Sequence, residues 1–194
     1  ESSKRAFYAD FGIHYEFNTT GNQKWAAGLV FAPSLQVNHE NNLTYSNSST
    51  SEGVDKSYHS RTQYLPMHIG AGISMTTERW VVTTDYNYLD WSRNTSSYTS
   101  MKYENQHKLN IGGAYITNPR LPRSTELMGG IGLSNSYINL RGGKMQYLEV
   151  SAGASFPIRY SYLSLGATWR KQINSRSSLM QESRFSMNLN ITFG

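Results

Sequence analysis

The sequence predicts an all-β chain, an antiparallel transmembrane β-barrel, and three observations carry that expectation. Apolar residues recur at every second position through runs of about 8–13 residues. Ordinary soluble strands run roughly 5–6 residues, whereas a tilted membrane-crossing strand needs roughly 9–11. The connectors between those runs alternate short and long, as the turns and loops on the two sides of an outer-membrane barrel do. The composition is low in charge, 16% of 194 residues, and rich in Tyr (14) and Gly (16), with a mean hydropathy of −0.56. Hydrophobicity spread one residue in two gives such an average without any long apolar run.

Nine strands follow in order from this period. Phe7, Ala9, Phe11, Ile13, Tyr15 and Phe17 oppose Tyr8, Asp10, Gly12, His14 and Glu16. Trp25, Ala27, Leu29 and Phe31 form a second apolar edge, weakened by Ala26 and Val30 on the other side. Leu65, Met67, Ile69, Ala71, Ile73 and Met75 oppose Pro66, His68, Gly70, Gly72, Ser74 and Thr76. Trp80, Val82, Thr84, Tyr86 and Tyr88 oppose Val81, Thr83, Asp85 and Asn87. Leu109, Ile111, Gly113 and Tyr115 form the fifth strand's apolar face, and Leu127, Gly129, Ile131 and Leu133 the sixth. Leu148 through Ile158, Leu163 through Trp169, and Phe185 through Phe193 complete the set. The last is the clearest, because Ser186, Asn188, Asn190 and Thr192 fill every alternate position. Short connectors are expected at 18–23, 76–79, 118–124 and 159–161, and long external loops at 38–60, 92–106, 139–144 and 173–182.

A soluble barrel or β-sandwich also alternates. Here, though, the polar positions hold Gly, Ser, Thr and Asn with scattered charges, which suits a wide hydrated lumen better than a Lys- and Glu-rich solvent surface. Asp10, His14, Glu16, His68, Asp85, Glu126, Glu149, Arg170 and Arg184 are therefore the expected lumen-facing polar residues. Trp80, Tyr86, Tyr88, Trp91, Phe156, Tyr160, Tyr162, Trp169 and Phe193 cluster near strand ends and are the expected membrane-interface aromatics.

Several function classes fall away. Without cysteine there is no disulfide scaffold, thiolate zinc site or Cys nucleophile. No HExxH, P-loop or GxSxG motif occurs, and Gly70-x-Gly72 and Gly130-x-Gly132 sit inside strands rather than in phosphate loops. No enzyme activity, cofactor or metal is expected. The charge balance is +5, but the basic residues are scattered (Arg93, Lys102, Arg141, Lys144, Arg176; Arg120, Arg123, Arg159), so the expected contacts are lipid phosphates, not nucleic acid. The chain opens Glu1-Ser2-Ser3 with no leader pattern. The odd strand count predicts that residues 1–194 are the C-terminal part of a larger barrel, the alternative being a complete eight-stranded barrel in which the 4–17 segment is not a strand.

The stretch Leu65-Pro66-Met67-His68-Ile69-Gly70-Ala71-Gly72, followed by Glu78-Arg79-Trp80, Thr84-Asp85-Tyr86-Asn87-Tyr88 and Asp90-Trp91-Ser92, resembles the FadL/OmpP1/TodX family. Gly112-Gly113-Ala114-Tyr115 with Asn118-Pro119, and Gly142-Gly143-Lys144, are similar to later strands and hairpins of its Bacteroidota members. That resemblance implies a 14-stranded barrel with an N-terminal hatch, in the outer membrane of a Gram-negative bacterium. It further implies transport of a hydrophobic small molecule, with outer-membrane lipid and lipopolysaccharide as surroundings. Bacteroidota members of the family also serve as non-transporting subunits of secretion or barrel-assembly machines. A structural subunit with other outer-membrane proteins or lipoproteins as partners is therefore the alternative expectation.

Overall fold

The structure is a computed structural model that describes residues 2–5, 8–19, 23–45, 54–59, 63–95, 100–121, 123–140, 143–158, 161–174 and 181–193. Its strands are β1 (Ser2–Arg5), β2 (Phe11–Thr19), β3 (Gln23–Ala32), β4 (Leu35–Tyr45), β5 (Val54–His59), β6 (Gln63–Leu65), β7 (Met67–Thr76) and β8 (Trp80–Asp90). They continue with β9 (Met101–Tyr103), β10 (Gln106–Ile116), β11 (Glu126–Asn135), β12 (Ile138–Leu140), β13 (Gln146–Ile158), β14 (Ser161–Asn174) and β15 (Ser183–Phe193). No helix occurs among the described residues.

Nine of these strands form one antiparallel sheet, in the order β15-β14-β13-β11-β10-β8-β7-β3-β2. They are the nine that the two-residue period picks out. The sheet is open, with β15 and β2 as its edges, so the expected closed barrel is not formed by these strands. The expected total of 14 strands rested on the family resemblance and has no support in this sheet.

The connections at one end are short: β2–β3, β7–β8, β10–β11 and β13–β14. At the other end the strands run on past the sheet. β4 and β6 continue the β3–β7 pairing in the same register, with Ala32 opposite His68 and then Leu35 opposite Leu65. Pro33 and Pro66 sit at the break, where neither can donate an N–H to the ladder. β5 and β1 then flank β4, so the segment 38–60, expected as a loop, supplies β5 and most of β4 to a polar three-stranded extension. Likewise β9 and β12 prolong the β10–β11 pair with a one-residue slip, Tyr103 opposite Ile138.

Gly153 on β13 and Gly166 on β14 face each other across the ladder. A Cβ on Gly153 would stand 2.9 Å from the Leu165 carbonyl oxygen, which is backbone, whereas one on Gly166 would meet only the Asn188 side-chain amide. Gly153→Ala is therefore expected to lower stability by about 1–3 kcal/mol through a forced strand shift. Gly166→Ala should be near neutral, because Asn188 can swing away and Ala gains about 0.5–1 kcal/mol over Gly in a strand. Denaturant midpoints of the two variants compare them directly, and equal losses would contradict this geometry.

Candidate functional site

The register sets like residues side by side across all nine strands. One row of the ladder reads Tyr15, Ala27, Ile73, Thr84, Ile111, Ile131, Val150, Trp169, Phe185. The rows beside it on that face carry Ile13, Leu29, Tyr86, Leu109 and Leu133, then Phe17, Trp25, Met75, Val82 and Met187. This face is not covered by any other part of the described chain: Ile131 is 56% exposed, Ile111 55% and Met187 77%. The buried hydrophobic residues among those described are only Ala32 and Tyr147. The apolar side of the sheet is thus left uncovered from edge to edge, whereas soluble monomers seldom expose a contiguous apolar patch beyond a few hundred Å².

The opposite face is polar, and one of its rows runs His14, Gly28, Gly72, Asp85, Asn110, Gly132, Glu149, Arg170, Arg184. Five of the nine expected polar residues therefore share a single row. At its centre the Asp85 carboxylate accepts from Asn87 Nδ2 and Asn110 Nδ2, both at 2.8 Å, and Asn87 Oδ1 accepts from His68 Nε2 at 2.8 Å. Glu149 lies opposite Arg170, whose guanidinium stacks 4.1 Å above the Tyr147 ring. Because glycines stand between the polar residues, the face is hollowed into a depression of about 550 Å³ lined by Asp85, Asn110, Glu149, Ser151, Thr168 and Asn188.

The other expected polar residues are less engaged. His14 Nδ1 and Glu16 Oε1 are 3.9 Å apart on an edge strand where both are well exposed, a contact worth little. Glu126 opens β11 on the polar face, opposite Ser155, away from the Asp85 network. Asp10 precedes β2 rather than lying in it, and its hydrogen bond holds the Tyr8 hydroxyl above its ordinary pKa. Arg184 lies opposite Arg170 on the exposed edge strand. Asn87, Asn110 and Tyr147 were not among the expected site residues. Their alternate spacing with Asp85 and Glu149 gave the face, but the pairing needed the register. Among the described residues no three His, Asp or Glu side chains could together hold a metal ion.

Of the expected interface aromatics, Trp80, Tyr86, Tyr88, Phe156 and Trp169 fall on the apolar face. Tyr162 does not: it pairs with Pro157 and Thr192 on the polar face. Tyr160 lies outside the described residues, as do Phe7, Arg141, Arg159, Arg176 and the side chain of Phe193. Trp91 leaves the sheet and stacks on Tyr137 at 4.5 Å and on Tyr103 at 6.2 Å, within a cap formed by two long connections. Asn105 ties that cap to the sheet, accepting from the Trp91 N–H at 3.2 Å and donating to the Tyr88 hydroxyl at 2.7 Å. Lys144 and Asn139 both reach Glu104, at 3.6 and 2.6 Å.

Compared with known protein families, the chain matches the family model of BamG, a barrel-assembly machinery component, across residues 1–194. No curated protein matches it. The whole-length match overturns the FadL/OmpP1/TodX resemblance. Alternation of small polar or glycine residues with apolar ones marks any sheet with one polar and one apolar face, so it did not single out that family.

Proposed function

The chain belongs to the BamG family, and from that membership we propose that it is a structural, non-transporting subunit of an outer-membrane barrel-assembly complex in a Gram-negative bacterium. The family match across the whole chain carries this reading. The exposed apolar face supports the membrane part of it, since lipid is the solvent in which Ile111, Ile131 and Met187 lose nothing by exposure. In this reading the nine strands are one wall of a transmembrane β-barrel, and the polar face with its Asp85 and Glu149 row is a hydrated lining rather than a catalytic centre.

The strand directions support a wall that is part of something larger. Nine antiparallel neighbours leave β2 and β15 running the same way, so an all-antiparallel closure takes an odd number of further strands. Lipid tolerates no unpaired edge in its hydrocarbon layer. Other outer-membrane proteins and lipoproteins of the assembly machinery are the partners this role implies, with outer-membrane lipid and lipopolysaccharide around the wall.

Affinity purification of the full-length protein from outer membranes in mild detergent tests the role. A stable complex with other barrel-assembly proteins is expected, and liposomes carrying the protein should take up no hydrophobic solute. Purification as a lone protein that moves such a solute would overturn the proposal.

A further inference from the structure

We propose that the short-turn rim of the sheet holds a phospholipid phosphate between Arg79 and Arg120, beside the Trp80–Tyr115 aromatic pair. This rests on the membrane reading above and adds to it a defined lipid-headgroup site at one end of the wall.

Arg79 is fixed by its turn. Thr77 N–H donates to the Trp80 carbonyl at 2.8 Å, the Thr77 hydroxyl accepts from the Trp80 N–H at 2.9 Å, and the Arg79 carbonyl accepts from the Ile116 N–H at 2.8 Å. From there Arg79 Nη1 reaches the Tyr115 hydroxyl at 3.4 Å. Tyr115 is an apolar-face residue in the same row as Trp80 and Leu127, so the guanidinium stands at the margin of the apolar face. The Trp80 and Tyr115 rings lie 4.7 Å apart, and Trp80 is 53% exposed.

The Ile116–Arg79 hydrogen bond brings the next short connection, 117–125, against this turn. Its tip presents Arg120, exposed, and Leu121, 54% exposed on a surface turn where nothing in the described chain covers it. Among the described residues neither Arg79 nor Arg120 makes an ion pair, with Glu78 or with any other carboxylate. Two guanidinium groups without a carboxylate partner, on neighbouring turns at the end of an apolar face that ends in Trp80 and Tyr115, match an amphiphile that ends in a phosphate. Guanidinium donors suit phosphate oxygens, Trp and Tyr settle at the headgroup level, and Trp80 and Leu127 continue into the acyl region. A phospholipid of the leaflet that meets the short turns supplies all three parts, whereas free phosphate leaves Trp80 and Leu121 uncovered.

Native mass spectrometry of the full-length protein, released from nanodiscs of phosphatidylethanolamine with one-fifth phosphatidylglycerol, reads the site as retained lipid. Arg79→Gln with Arg120→Gln is expected to reduce retention about tenfold, the loss of two charge-assisted phosphate contacts. Arg93→Gln with Lys102→Gln, at the opposite end, should leave it unchanged. Equal loss in both double variants means unspecific charge attraction and overturns the site, as does displacement of the lipid by millimolar inorganic phosphate alone. Insertion is scored separately by heat-modifiable gel migration. Wild-type protein that inserts but retains no lipid sinks the site and spares the wall, while a chain that does not insert sinks both.

Discussion

Ile131→Lys is expected to cost about 2–4 kcal/mol of folding stability in lipid, the penalty for a cation near the midplane of a lipid-facing barrel wall. Ile131 sits in the middle of β11, flanked by Ile111 on one side and Val150 on the other, with no polar group in its row nearer than Thr84. Its side chain is 56% exposed, and that number gives the substitution its force. In water, replacing an exposed isoleucine by lysine removes an unfavourable contact and shifts stability by no more than about 0.5 kcal/mol. In lipid, the same exposure puts an ammonium group into hydrocarbon. The two settings therefore predict different outcomes from one variant.

Thr83→Lys supplies the control, because Thr83 lies two strands away on the polar face and is also exposed. It should be within about 0.5 kcal/mol of wild type in either setting. Urea titration of protein folded into short-chain lipid vesicles measures both. If Ile131→Lys unfolds at the wild-type midpoint, the apolar face does not meet lipid, and the membrane reading fails with it.

The nine strands were legible in the sequence because each has one face in a uniform environment, which imposes a two-residue period. Boundaries followed less closely. The first strand was expected from Phe7, yet β2 begins at Phe11, where its partner β3 runs out one residue before Pro33. The polar extensions were invisible for a related reason. β4 and β5 continue the hairpin with residues such as Asn38, Glu40, Asn41 and Asn42, where no apolar face remains to mark the period. β9 and β12 are three residues each and meet across more than thirty residues of sequence. The polar row shows the same division. Alternation assigned Asp85, Glu149 and Arg170 to one face, but bringing Asn110 to Asp85 and Arg170 to Tyr147 depended on register, which no single strand encodes.

Trp91→Ala is expected to loosen the cap while leaving the sheet intact, at a cost of about 2–4 kcal/mol, below the 3–5 typical of a fully buried aromatic because Trp91 is half-buried. Two connections meet at this residue, and Asn94 beside it ties strand β6 to them. Its ring stacks on Tyr137 from the β11–β13 connection and on Tyr103 from the β8–β10 connection. Its carbonyl accepts from the Asn94 N–H at 3.0 Å, and the Asn94 side chain in turn accepts from the Tyr64 N–H at 2.9 Å and donates to the Tyr64 carbonyl at 2.8 Å. Removing the indole leaves Tyr103 and Tyr137 stacked on each other at 6.4 Å with a void on one side. No ladder hydrogen bond of the nine-stranded sheet passes through these side chains, so far-ultraviolet circular dichroism should hold while the near-ultraviolet aromatic signal falls. Limited proteolysis should open new sites within 92–105 and 136–145 in Trp91→Ala but not in Trp91→Phe, which keeps a ring in the stack. A wild-type cleavage pattern in Trp91→Ala would mean that the hydrogen bonds through Asn94, Asn105 and Asn135 hold the cap without the aromatic cluster.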